Sequence, residues 1–179
     1  MYMKMGIGQD SHRFADRERT VATGDTTVGV HEVAGDYTGR LLKLGGVVFE
    51  GGPPLAGNSD ADVVLHALCN AVSGVTGVNI LGETADRMCL DQGITDSAVY
   101  VKEAMKHLAG GRIVHASFSI ECARPVLSPK IVEMRKKIAE IAGLDISCVG
   151  VTATSGEGLT DFGRGLGIQA FCVVSVVYE

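Results

Sequence analysis

Asp10 and His12 are the first residues whose types and spacing suggest chemistry. They stand two apart, just past residues 3–8, which read as a short strand. The period of two in a strand puts both side chains on one face. A carboxylate and an imidazole so placed can share a divalent cation. A third ligand must come from elsewhere, and His66 is the best candidate. It lies in a helical stretch with apolar surroundings, and Asp62, one turn earlier, is placed to orient its second ring nitrogen. Three Asp/His ligands with an open fourth position form the pattern of a catalytic zinc site. Spacing alone leaves a plainer reading open: Asp-x-His pairs arise by chance, and a helical histidine is commonly a satisfied core residue.

A second cluster lies near the C-terminus. Residues 152–157 (TATSGE), followed by Gly163-Arg164-Gly165, offer hydroxyls, backbone N–H groups, a carboxylate and a guanidinium. Glycine-rich backbone with hydroxyls can cradle phosphate, Arg164 can hold one bidentately, and Glu157 is suited to Mg²⁺ shared with substrate phosphates. An ordinary glycine-rich connection is the competing reading. His31, His107 and His115 have no partner spacing, and the basic run Lys130, Arg135, Lys136 and Lys137 reads as a solvated helix face.

The elements that must position these groups follow from periodicity. Residues 41–50 look like a strand pair broken by Gly45-Gly46. Residues 60–75 carry apolar side chains at helical spacing, with Ser59 or Asp60 as cap. Residues 96–109 form a second helix and residues 113–122 alternate as a half-buried strand. Ser128-Pro129 reads as the cap and first residue of a helix that ends at Gly143. Residues 148–154 and 168–178 are strands, the last very apolar. The order predicts an α+β fold, a mixed sheet with helices packed on one face. Residues 1–179 read as a single domain, with 16–40 as a loop or hairpin insertion. The uncovered sheet face predicts an oligomer.

Composition excludes several classes. The net charge is −5, which argues against a nucleic-acid face. No apolar run approaches the roughly 18 residues of a membrane helix, and the N-terminal segment lacks the apolar region of a signal peptide. Five cysteines without a CxxC motif suggest buried thiols in a reducing cytoplasm rather than a disulfide framework. The 24 glycines imply tight turns or close backbone approach somewhere in the fold.

Four blocks taken in order resemble the 2-C-methyl-D-erythritol 2,4-cyclodiphosphate synthases of the non-mevalonate isoprenoid pathway. They are residues 6–14 (GIGQDSHRF), residues 59–68 (SDADVVLHAL), residues 125–129 (PVLSP) leading to Met134-Arg135, and residues 153–157 (ATSGE) leading to Gly163-Arg164-Gly165 and Gly167. The resemblance spans nearly the whole chain except about residues 16–40. It implies a homotrimer with active sites between subunits and Zn²⁺ held by Asp10, His12 and His66. It also implies Mg²⁺ (or Mn²⁺) between the diphosphate and Glu157. The implied substrate is 4-diphosphocytidyl-2-C-methyl-D-erythritol 2-phosphate. Its 2-phosphate oxygen attacks the β-phosphorus, CMP leaves and the cyclic diphosphate forms.

The resemblance further implies catalytic roles for Asn58, Ser155 and Glu157. It implies a substrate surface of Asp10, Ser11, His12, Asn58, Ser59, Ile80, Leu81, Gly82, Arg124, Pro125, Leu127, Thr154, Ser155 and Arg164. This chain departs from the family pattern at Asn58, where His is usual, and at Ser155, where Thr is usual. Ile80 replaces a ribose-binding Asp, Val126 a nucleotide-loop Lys, and Leu166 a Glu. Two alternatives stand beside the synthase: a non-catalytic metal-binding trimer for a phosphorylated ligand, and a zinc phosphohydrolase.

Overall fold

A computed structural model describes residues 1–15, 22–23, 26–27 and 37–179. Strand β1 (Tyr2–Arg13) is followed by two short antiparallel pairs, β2 (Ala22–Thr23) with β3 (Thr26–Thr27), and β4 (Leu42–Leu44) with β5 (Val47–Phe49). The rest of the stretch expected as an insertion, up to residue 36, lies outside the described residues. Then come α1 (Val63–Thr76), α2 (Glu83–Asp86), α3 (Ser97–Lys106), β6 (Arg112–Glu121), α4 (Ile131–Ala142), β7 (Val149–Thr154) and β8 (Gly167–Tyr178).

The main sheet has the order β1-β8-β6-β7. β8 runs antiparallel to β1 and β6, and β6 runs parallel to β7, so the sheet is mixed. The alternation read in residues 113–122 is real: Ile113, Ala116, Phe118 and Ile120 are buried, and a bulge between Ile113 and His115 resets the phase. Together with Ile168, Ala170, Cys172, Val174 and Val176 of β8 they form the face against which the helices pack. The fold is α+β, as expected. Among the described residues no helix is long and apolar enough to cross a membrane.

Several local expectations are corrected. β1 does not stop near residue 8; pairing with β8 continues to Arg13↔Gly167, so the polar cluster lies within the strand. The cap of α1 is Asp62, not Ser59 or Asp60. Its carboxylate accepts from the backbone N–H groups of Val64 and Leu65, and also from Gly45 and Gly46 in the β4–β5 turn. A cap that also pins a neighbouring turn satisfies more orphan donors than Ser59 could. Ser128-Pro129 starts a 3₁₀ turn rather than capping α4, whose cap position is Lys130 without a side-chain bond. Gly143 ends α4 in the left-handed conformation, as expected. α2 and the π-helical turn Arg87–Asp91 were not foreseen. α2 is one turn long, too short to show an apolar period.

Candidate metal and phosphate site

β1 approaches α1 unusually closely. A Cβ at Gly8 would overlap the Ala67 carbonyl oxygen and the Ala71 nitrogen, and a Cβ at Gly6 the Ala71 carbonyl oxygen. Asp10 and His12 continue on that same strand face, and His66 adjoins Ala67 on the helix. The three side chains therefore converge. Asp10 Oδ2 lies 2.9 Å from His66 Nδ1 and 3.1 Å from His12 Nε2, and the two imidazole nitrogens are 3.4 Å apart.

This donor set fits a cation. Metal–ligand bonds of about 2.0–2.1 Å in a tetrahedron imply ligand separations of about 3.3 Å, close to those found. Among the described residues, these three form the group of His, Cys, Asp and Glu side chains able to hold a metal ion. Each imidazole is held from behind: His12 Nδ1 lies 2.6 Å from the Ala56 carbonyl oxygen, and His66 Nε2 lies 2.9 Å from Ser97 Oγ. Asp62 does not play the orienting role expected of it. Its carboxylate is committed to four backbone N–H groups, and Ser97 stands behind His66 instead.

Electrostatics follow from this packing. Burial would raise the Asp10 carboxyl, but hydrogen bonds and charge from His12 and His66 outweigh it and lower it to about 2. Burial would lower His12, but Asp10 reverses that and raises it. At the helix cap, burial pushes the Asp62 carboxyl up against the pull of its backbone donors.

An open cleft of about 310 Å³ lies over the cluster. Of the residues expected at the site, Asp10, His12, His66, Asn58, Ser59, Leu81 and Gly82 line it. Two do not present side chains there. Ile80 is 2% exposed and belongs to the core, and Ser11 points to the opposite face of β1. Sequence reading missed Ala85, Asp86, Cys89 and Tyr100, which also line the cleft. Cys89 Sγ donates to the Asn58 carbonyl at 3.2 Å, and the Tyr100 ring lies 6.2 Å from that of His66. The elements that carry Ala85, Asp86 and Cys89 are the unforeseen ones, so periodicity offered no signal.

The other expected residues gather elsewhere. Thr154 ends β7, and Ser155 caps a 3₁₀ turn with its hydroxyl 3.2 Å from Glu157 Oε1. Glu157 is exposed at φ +50°, a left-handed conformation it shares with Ala61 and Ala109 among the described non-glycine residues. Arg164 pairs with Asp161 at 3.2 Å. The Arg124 guanidinium lies 4.5 Å from the Phe14 ring centroid and donates to the Gly165 carbonyl. Pro125 is half-buried beside it, and Leu127 is buried.

The register relates the two groups. Asp10 pairs with Ala170, Ala170 with Ile120, and Ile120 with Ala153. The metal ligands and the turn of Thr154, Ser155 and Glu157 thus lie at the same end of the sheet but on its two edge strands, whereas Arg124, stacked on Phe14, stays near the end of β1. Three strand spacings put the two edge strands about 14 Å apart.

Residues 3–177 match the model of the YgbB family. The chain is 46% identical over 175 residues to the 2-C-methyl-D-erythritol 2,4-cyclodiphosphate synthase of Chlamydia muridarum, covering 97% of this chain and 88% of that one. It is 42% identical to the Chlamydia abortus enzyme of the same name, covering 97% and 89%. Among solved structures it resembles the bifunctional IspDF of Campylobacter jejuni with a TM-score of 0.80 and 24% identity, over 99% of this chain and 43% of that larger one. It also resembles a 2C-methyl-D-erythritol-2,4-cyclodiphosphate synthase in a CDP-bound form, with a TM-score of 0.69 and 25% identity over 97% of this chain and all of that one.

Proposed function

The chain belongs to the YgbB family, and from that premise we propose how its residues carry the reaction of the synthases it matches. It is a phosphorus–oxygen lyase. It converts 4-diphosphocytidyl-2-C-methyl-D-erythritol 2-phosphate to 2-C-methyl-D-erythritol 2,4-cyclodiphosphate and CMP. The observation that carries the residue assignment is the convergence of Asp10, His12 and His66, with donor atoms spaced for a tetrahedral cation beneath an open cleft.

Asp10 Oδ2, His12 Nε2 and His66 Nδ1 would hold Zn²⁺, and Glu157 would hold Mg²⁺ (or Mn²⁺) together with the diphosphate. When bound, the two cations neutralise the charge that opposes attack of an anionic phosphate oxygen on an anionic diphosphate. The attacking oxygen is already ionised, so no residue need remove a proton, and positioning is the chief task of the protein. Asn58 and Ser59 offer hydrogen bonds to phosphate oxygens at the rim of the cleft. Leu81 and Gly82 shape its far wall against the erythritol and ribose. Thr154, Ser155 and Arg164 bind the diphosphate, and Arg124 and Pro125 the cytidine, with the buried Leu127 able to offer only its main chain.

The metal ligands and Glu157 must act on one substrate, yet they are carried by opposite edge strands of one sheet. A cyclic homotrimer resolves this, because rotation brings the β7 edge of one subunit to the β1 edge of the next. The sheet face turned away from the helices supports this assembly: Met3, Met5 and Ile7 are 59%, 65% and 67% exposed, and Phe171 is 38% exposed. Such an apolar face calls for a partner.

Incubating the protein with its substrate and Mg²⁺ tests the reading. CMP and the cyclic diphosphate are expected in equal amounts. CMP with an open-chain product would instead mark a hydrolase, and no CMP a binding protein.

A further inference from the structure

We propose that Ser97, backed by Asp60, is a positioning residue that keeps the ring proton of His66 on Nε2 and so offers Nδ1 as a free ligand atom. The inference rests on the reading of His66 as a metal ligand. Ser97 is the first residue of α3, is fully buried, and is 31 residues from His66 in sequence. Its hydroxyl contacts two groups, Asp60 Oδ1 and, at 2.9 Å, His66 Nε2.

Donor bookkeeping sets the direction. An ionised carboxylate only accepts, so the single serine proton goes to Asp60. Ser97 Oγ can then only accept from His66, which requires Nε2–H. When the cation takes the place of the proton that Nδ1 shares with Asp10 at 2.9 Å, the one N–H left on the neutral ring is Nε2–H, and the Nδ1 lone pair serves the cation. Lys43 Nζ and the Ser97 backbone N–H lie beside Asp60 Oδ2, both at a long 3.4 Å, so the close partner of this carboxylate is the Ser97 hydroxyl. Ser59 Oγ also faces Nε2, but at 3.4 Å it is a weak competitor.

His12 reaches the same end by another route. Its Nδ1 lies 2.6 Å from the Ala56 carbonyl, a group that can only accept. The main chain orients one ligand, and the Asp60–Ser97 pair orients the other. Partners of this kind raise ligand basicity, and their loss typically costs about 10–100-fold in metal affinity.

The test measures zinc affinity by chelator competition in the native protein and in Ser97→Ala, Ser97→Thr and His66→Ala, alongside ¹⁵N-histidine NMR of the zinc-loaded native protein. Expected are a His66 Nε2–H protected from exchange with water, affinity about 10–100-fold lower in Ser97→Ala, and near-native affinity in Ser97→Thr, which keeps the hydroxyl. Native affinity in Ser97→Ala overturns the inference while leaving the ligand assignment intact. Should Ser97→Ala fail to fold, the native spectrum decides: an Nε2 without a proton, or one exchanging as fast as free imidazole, overturns it. Zinc retained in His66→Ala, or none bound by the native protein, overturns both the ligand assignment and this inference.

Discussion

Gly8 and Ala67 touch backbone to backbone: no Cβ fits on Gly8 without overlapping the Ala67 carbonyl oxygen. That approach sets the distance between β1 and α1. It therefore sets whether Asp10, two residues beyond Gly8, can reach His66, the neighbour of Ala67.

Gly8→Ala should therefore damage stability and site together. Overpacking ordinarily costs about 1–3 kcal/mol, and here the obstacle is main chain, which cannot change rotamer. A loss at or above the top of that range is expected in chemical denaturation, with weaker zinc binding in the protein that remains folded. A variant with native stability and native zinc affinity would contradict this account of the packing.

The Asp10–His12 pair gives the metal-free protein a defined pH response. Asp10 falls from an ordinary 3.8 to about 2, so its contribution is present above 3.8 and is lost as pH falls toward 2. His12 is raised above 6.5, so its contribution is complete below 6.5 and is lost as pH rises through the folded value. The stability advantage of the metal-free native protein over His12→Gln should be larger at a pH below 6.5 than at a pH above the raised folded value. Zinc should reverse the trend, because the cation competes with the His12 proton. Denaturation midpoints at the two pH values, with and without zinc, check both signs.

Glu157→Gln changes one exposed charge and leaves the turn around it able to form. It should weaken the Mg²⁺ dependence and slow turnover while sparing the melting temperature. A Mg²⁺ titration and rate identical to the native enzyme's would remove Glu157 from the site.

Asn58 lines the cleft where the family usually carries His. Charge-assisted hydrogen bonds are roughly twice as strong as neutral ones. Losing one preorganised donor typically costs on the order of 10²–10³ in rate, and Asn keeps a donor, so a deficit of about tenfold is expected. Asn58→His should raise kcat with little change in KM, since the gain arises in the transition state. Steady-state kinetics decide it, and an unchanged or lower kcat would show that Asn58 suits its own surroundings.

Ile7→Asp places a charge on the open apolar face. Light scattering should report about three subunit masses for the native protein and a smaller species for the variant. Zinc binding should persist, because all three ligands come from one chain, while turnover should collapse, because the Glu157 group would come from a neighbour. A fully active monomer would refute the shared site.

Much of this was legible along the chain because it depends on near neighbours. Alternation in a strand places Asp10 and His12 on one face, and helical spacing marks α1 around His66. Glycine content signals a close approach, and Gly143 a helix end. Each follows from backbone geometry over a few residues. Ser97, Asp60 and Asp62 were assigned otherwise or missed, because their roles depend on which element packs beside which. Asp62 looks like a partner for His66 on a helical wheel, yet its carboxylate turns to the N–H groups of Gly45 and Gly46, 17 and 16 residues away. Ser97 reads only as the start of a helix until α3 is set against α1. The division of the substrate surface between two edges of one sheet has the same origin: strand order, unlike strand periodicity, is decided by how apolar faces bury one another across the whole chain.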